Sequence, residues 1–287
     1  MDFQFIPLSV AIVGSSIGAI WDLKTTEIPD ELLHGMMIIG LVYYGLISFF
    51  QWSYIPFLLS LVTGLSLLGL GFLMYYFGQW GGADAKLLSA IGFLLPVRPH
   101  GFAKTAFPFP ITYTINVFLI GAAYIIIYAF LIALKNKKIL SKFIKDVKAE
   151  SRMILFGSIL MFFFLLAFSI FFDYYFEIPF HSMFSLYTTL AVVSLSFSMY
   201  LLWKFAKAVE DVGFKKKIPV SKLKVGDVLL SNRLWEGITE KELKKIKKSN
   251  KKYVWIKEGI RFGPSFILAL IFTLYFGDGI FFLTSFL

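Results

Sequence analysis

The sequence contains no cysteine. Disulfides, thiolate metal sites and a cysteine nucleophile are thereby excluded. Histidine is nearly as scarce, and His34, His100 and His181 flank different segments, so no histidine-built metal site is expected. Neither a metal nor another cofactor is called for. Charged residues make up only 16% of the chain, against 58% hydrophobic and 19% aromatic, with a mean hydropathy of +0.76. That balance excludes an ordinary soluble domain. Several apolar runs approach or exceed the roughly 20 residues that cross a bilayer. The chain therefore reads as an integral membrane protein. A basic residue ahead of the first apolar run is also missing. Met1-Asp2-Phe3-Gln4 carries none, so the N-terminus is expected to be a retained first helix and not a cleaved signal peptide.

What is present is a series of apolar spans over residues 3–21, 32–50, 55–77, 85–95, 111–134, 154–172, 183–203 and 262–283. The fourth is too short to cross roughly 30 Å of hydrocarbon. It is expected to be extended through residues 93–97, to tilt, or to stop partway. The sixth and seventh read equally as two crossings or as a helical hairpin. With the N-terminus outside and eight crossings, every Lys and Arg except Arg98 and Lys104 falls in an inside segment: 22–31, 78–86, 135–152 or 204–261. The reverse orientation leaves only those two inside, so the positive-inside rule selects the first.

Residues 204–261 form the one long polar segment, with 17 basic residues against Glu210, Asp211, Asp227, Glu236, Glu240, Glu242 and Glu258. Residues 218–230 suggest a strand and turn, and Thr239 to Glu242 has the spacing of a capping box opening a helix over 239–248. The lysines suit anionic lipid headgroups, with substrate docking as the alternative. The net charge of +10 is explained by such inside segments. Nucleic acid is not expected as a partner, because no matching array of exposed aromatics accompanies the lysines.

Two carboxylates carry the functional argument. Gly81-Gly82-Ala83-Asp84-Ala85-Lys86 is a glycine-rich break between two apolar runs. Consecutive glycines release the backbone from helical dihedrals and permit close approach. An ionisable residue beside such a break is a site candidate, although aspartate also N-caps helices for ordinary reasons. The second lies in Trp21-Asp22-Leu23-Lys24-Thr25-Thr26-Glu27-Ile28-Pro29-Asp30. Pro29 drives Ile28 toward extended geometry, so the helix ends before it. Only Asp22 lies on the helical extension of a span, while Glu27 and Asp30 are expected in solvated loop. The plain alternative for Asp22 is an interfacial charge ending a helix. If the first and fourth spans pack together, Asp22 and Asp84 converge. Like charges close together cannot both ionise cheaply, so the pair would share a proton. One aspartate then activates water while the other protonates the carbonyl or leaving amine, as in aspartic proteases. A transporter or channel would use the same aspartates to bind protons or cations. Against it, the breaks fall at inner membrane ends and no inverted repeat is visible. A nonenzymatic scaffold docking partners through the basic module is the third reading.

The segment from Asp22 to Ile28-Pro29 resembles the first catalytic loop of type IV prepilin peptidases, and residues 81–86 resemble the GxGD signature of that membrane aspartyl protease family. Lacking a cysteine-rich N-terminal region, the chain is most similar to the archaeal preflagellin and prepilin peptidases. Pro108-Phe109-Pro110, Gly226-Asp227 and Ile260-Arg261-Phe262-Gly263-Pro264 add to the likeness. It is carried mainly by residues 5–135, less by 220–287 and least by 136–205. The resemblance implies an all-α polytopic membrane protein, with a six-span GxGD-protease-like core, an added helical hairpin and a small basic cytoplasmic module. The expected parts are residues 1–134 as a membrane core with both aspartates, 135–203 as a basic cytoplasmic loop followed by the helical hairpin, 204–260 as the cytoplasmic basic module, and a last transmembrane helix over 261–287.

It further implies that Asp22 and Asp84 are catalytic, that Gly81 is the first signature glycine, and that Lys86 orients or snorkels. Ala83 stands where the second glycine is expected, and alanine tolerates a positive φ less well. Gly81, Gly82, Ala83, Lys86, Lys24, Glu27, Asp30 and Glu31 are the candidate loop-shaping or substrate-binding residues. The implied activity is removal of short basic leaders from prepilin-like or archaellin precursors, at the cytoplasmic boundary of the cell membrane and without a cofactor. Asp22, Glu27, Asp30 and Glu31 against Lys24 make residues 22–31 an acidic patch suited to such a leader. Precursors and anionic lipid are thus the expected partners, and the oligomeric state stays open.

Overall fold

The computed structural model describes residues 5–175, 182–231, 237–249, 252–257 and 259–284. Met1–Gln4, His181, Glu236 and Glu258, all used above, lie outside the described residues. In chain order the helices are α1 (Phe5–Thr25), α2 (Asp30–Phe50), α3 (Ile55–Tyr76), α4 (Gly82–Leu94), α5 (Phe109–Lys135), α6 (Lys137–Tyr175), α7 (Ser182–Val209), α8 (Glu240–Lys248), α9 (Gly263–Phe276) and α10 (Gly279–Thr284). The strands are β1 (Lys215–Pro219), β2 (Val228–Leu229) and β3 (Tyr253–Lys257). Six of the helices are long and apolar enough to cross a membrane, and the fold is that of an all-α polytopic membrane protein. Two compact units are present, one of Met1–Tyr128 with Lys217–Leu287 and one of Ala129–Lys216. Their boundaries fall inside α5 and β1.

At the centre of the first unit stands α4, packed against α1, α2, α3 and α9. Its 13 residues span about 20 Å at 1.5 Å per residue. Residues 87–96 are all buried. Small residues allow this intimacy, as in other membrane helix pairs. A Cβ on Gly71 of α3 would lie 2.6 Å from Ala85 Cα, and one on Gly64 2.4 Å from the Phe93 ring. Ser89 Oγ donates to the Gly64 carbonyl at 2.8 Å. The last carbonyls of any helix lack intrahelical partners. Here Ser60 Oγ donates to Phe93 O at 2.7 Å, and Tyr44 Oη to Leu94 O at 3.2 Å. With its end satisfied by α3 and α2 side chains, α4 ends at Leu94. Irregular backbone inside a membrane protein is tolerated where protein surrounds it.

Two expected spans need correction. Residues 262–283 are not one helix, because Gly277 adopts φ +73° and separates α9 from α10. Asn116 of α5 satisfies the break, with Nδ2 donating to Gly277 O at 2.8 Å and Oδ1 accepting from Gly279 N–H at 3.0 Å. Residues 137–152 are no loop either. Lacking Gly and Pro, and rich in Lys, they run on into the apolar stretch as the 39-residue α6. Asn136 Oδ1 accepts from Lys138 N–H at its start.

The second unit is built on α6 and α7. Glu150 of α6 pairs with Lys204 of α7 at 2.5 Å and accepts from Tyr200, while Asp173 accepts from Ser185 at 3.0 Å. Pairs that run in opposite order make this an antiparallel hairpin. The basic segment forms a three-stranded sheet in the order β1-β3-β2, with α8, in the first unit, lying between β2 and β3 in sequence. Val228 faces Lys257 and Leu229 faces Ile256 across an antiparallel pair. The capping box is present: Thr239 Oγ1 accepts from Glu242 N–H and Glu242 Oε2 from Thr239 N–H. Leu223, Ile238 and Ile256 form its small core.

Candidate active site

No breaker interrupts Trp21 to Thr25, so α1 carries Asp22 and Lys24 on its last turns. Thr26, at φ +62°, closes the helix with its N–H bonded to Asp22 O at 2.8 Å. Asp22 is 7% exposed. Its Oδ2 accepts from Gly263 N–H at 2.7 Å. Gly263 opens α9, where helix N–H groups lack internal partners and favour an anion. Glycine is needed there for space, since a Cβ would lie 3.0 Å from Asp22 Oδ2.

Asp84 does not occupy the capping position itself. Gly81 is the N-cap of α4, extended at φ −78° and ψ 160°, and Asp84 reaches back from the first turn to accept from Gly81 N–H at 2.9 Å. Neither Gly81 nor Gly82 has positive φ, whereas Gly78 does at +70°. Ala83 lies within the helix, so an alanine at the second signature glycine meets no left-handed requirement. Gly81 matters sterically, because a Cβ would sit 3.3 Å from Asp84 Oδ2. Trp80, buried, stacks on Phe118 at 5.4 Å and meets Phe266 edge-on at 5.6 Å, giving this turn an apolar backing.

The two carboxylates lie within electrostatic reach of each other. Asp84 sits ahead of the apolar run of α4 and outside the six long spans. Burial is the main force raising its carboxyl; the Gly81 N–H pulls the other way, and the Asp22 charge raises it further, to about 7. Asp84 keeps some exposed surface, but the protein around it removes most of its hydration.

Sequence reasoning assigned no site role to several neighbours. Arg261, just ahead of α9, acts electrostatically on Asp22. Tyr124 of α5 feels both, and its Oη donates to the Arg261 carbonyl at 2.8 Å. Phe262-Gly263-Pro264 signals a helix start through its proline, but nothing in the sequence says which carboxylate that start receives.

The remaining candidates are distributed around this pair. Lys86 Nζ bonds both Asp30 oxygens, at 2.7 and 2.8 Å. Asp30 is therefore not in loop: Pro29 precedes it with extended ψ, and Asp30 and Glu31 form the first turn of α2, where acidic residues suit the helix dipole. Glu27 is in loop as expected, with Oε1 against Gly226 of the basic module. Lys24 and Glu31 are exposed. Gly82 begins α4 with open space around it.

Residues 9–134 match the sequence model of the type IV leader peptidase family. A preflagellin peptidase of Methanocaldococcus jannaschii is 38% identical over 87 residues, covering 30% of this chain and 37% of that protein. Prepilin peptidase EppA of Methanothermobacter thermautotrophicus is 25% identical over 148 residues, covering 48% and 38%. A preflagellin peptidase of Methanococcus voltae is 33% identical over 91 residues, covering 32% and 39%. The matched stretches thus span less than two-fifths of each relative's own length.

Proposed function

We propose, for a chain whose residues 9–134 match the sequence model of the type IV leader peptidase family, a membrane aspartyl endopeptidase that removes short basic leaders from prepilin- or archaellin-like precursors. One observation carries the reading. Two carboxylates from separate helices, both inside the matched segment, are held by the backbone N–H groups of Gly263 and Gly81 within electrostatic reach of each other. Such a pair keeps one proton between its members. The ionised member takes a proton from water as its oxygen attacks the scissile carbonyl carbon. The protonated member gives its proton to the carbonyl oxygen. The resulting gem-diol collapses as the first aspartate returns its proton to the leaving nitrogen and the second recovers one from a hydroxyl. The relatives' names supply the substrate class.

The reaction is assigned to the cytoplasmic boundary, with the N-terminus outside. Lysine distribution supports this, as does the position of Arg98 and Lys104. Their loop meets the far end of the 14-residue α9, where Ala103 N–H bonds Leu274 O. Residues 1–134 are the core carrying the pair, and residues 204–260 the basic module, whose lysines rest on anionic headgroups. With Asp30 engaged by Lys86, Glu27 and Glu31 are left to receive a basic leader. Membranes holding the protein, incubated with a Lys-rich prepilin-like substrate, should release the leader as a defined mass shift. Retention of the full mass with every leader-bearing substrate would refute the assignment.

A further inference from the structure

Nothing in the family likeness distinguishes the two aspartates, but their surroundings differ. Asp22 faces one cation, Arg261. On the elements packed against α1, the charged groups at this end are Arg261 ahead of α9, Asp84 and Lys86 on α4, and Asp30, Glu31 and His34 on α2. Tyr124 of α5 joins them, and Lys24 and Glu27 lie on α1 and its loop. Lys86 and Asp30 neutralise each other at 2.7 Å. Among the described residues no carboxylate lies within ion-pair distance of Arg261, and its Nε is buried without a hydrogen-bond partner. A polar atom removed from water without a partner is costly, although Arg261 as a whole stays partly exposed. Its position is nevertheless built in: Tyr124 Oη holds its carbonyl at 2.8 Å, and two residues on, Gly263 N–H holds Asp22 at 2.7 Å. Asp84, like Asp22, accepts from one backbone N–H, but it has an apolar backing at Trp80 and the Asp22 charge in place of a cation.

We propose that Arg261 is a positioning residue that keeps Asp22 the ionised member of the pair, making Asp22 the base toward water and Asp84 the acid toward the carbonyl. The proposal rests on the peptidase reading above. Arg261 is assigned no contact with substrate. It acts by its charge, together with the α9 N-terminus, on the carboxylate between them. The rise of Asp84 toward neutrality complements this division, since the acid is then still protonated near pH 7.

The test compares wild type, Arg261→Gln and Arg261→Lys as full-length protein in detergent, each checked for abundance and thermal unfolding. The pH profile of kcat/KM is read with a Lys-rich prepilin-like substrate. Loss of the cation makes Asp22 ionise at higher pH. Arg261→Gln should therefore move the acidic limb up by about one unit, the low end of what an opposite charge does to an aspartate. Arg261→Lys should restore the limb. Difference infrared spectra against Asp22→Asn read the ionisation of Asp22 directly, and keep the test decisive if Arg261→Gln turns over too slowly. An acidic limb or an Asp22 carboxyl band that titrates as in wild type would overturn the proposal, as would equal impairment of Lys and Gln variants. Wild type that cleaves no leader defeats the peptidase reading instead, which separates the two failures.

Discussion

Asp22 and Asp84 are each fixed by a backbone N–H, and this shapes what their substitution does. An asparagine oxygen still accepts from Gly263 or Gly81, so Asp22→Asn and Asp84→Asn should keep normal abundance. Removal of a general acid or base costs about 10²- to 10⁴-fold in rate, and each variant should lose cleavage by at least that much when assayed on the same precursor. In the proposed mechanism Asp84 carries the alkaline side of the pH dependence. Its carboxyl is raised to about 7, so the acid form prevails below that value and is lost as pH rises through it. Cleavage should decline over that interval, and a profile flat to pH 9 would remove Asp84 as the acid. Gly81→Ala has an accessible backbone but places a methyl 3.3 Å from the Asp84 oxygen. About tenfold lower kcat/KM with an unchanged melting temperature is expected, because small displacements of reacting groups are expensive. Both aspartates were legible in the sequence as carboxylates at the ends of apolar runs. Arg261 and Tyr124 were not, since their relevance depends on a helix start more than 200 residues from Asp22.

Among the elements, α4 decides the architecture. Its shortness was visible in the sequence, but extension, tilt and early termination were equally open there. Termination follows from side chains on other helices, Ser60 and Tyr44, which accept the burden of its last carbonyls. Ser60→Ala leaves the Phe93 carbonyl without that donor and should cost about 1–3 kcal/mol. Gly71→Leu cannot be accommodated beside Ala85 Cα and should prevent α3 from docking, an overpacking cost of about 1–3 kcal/mol or more. Thermal unfolding in detergent ranks the two, and a Gly71→Leu protein as stable as wild type would contradict the α3–α4 packing. The continuity of α6 through residues 137–152 was missed for a different reason. A lysine-rich run was read as a loop for its charge, whereas helix propensity without glycine or proline carried the helix through it.

For the whole molecule the absence of cysteine becomes an experimental asset, because single introduced thiols report topology without background. His100→Cys should react with an impermeant maleimide from outside, and Lys241→Cys only after the membrane is opened. The reverse pattern would invert the proposed orientation and remove the proposed cleavage site from the cytoplasmic face. A double variant, Glu27→Gln with Glu31→Gln, should raise KM for a Lys-rich leader severalfold with little change in kcat, since exposed charges steer binding more than chemistry. Unchanged KM would dismiss the acidic patch as a leader site.

Composition and periodicity alone determined that this chain is a polytopic helical membrane protein, because burial of apolar surface and satisfaction of backbone groups in lipid leave few other solutions. They also singled out the two aspartates, since an ionisable group at the end of an apolar run is rare without a use. Only the tertiary structure decided that Asp22 is held at the start of α9, within electrostatic reach of Arg261 and of Asp84. Convergence of that kind depends on which helices pack together, and residues far apart in sequence carry no local signal of it.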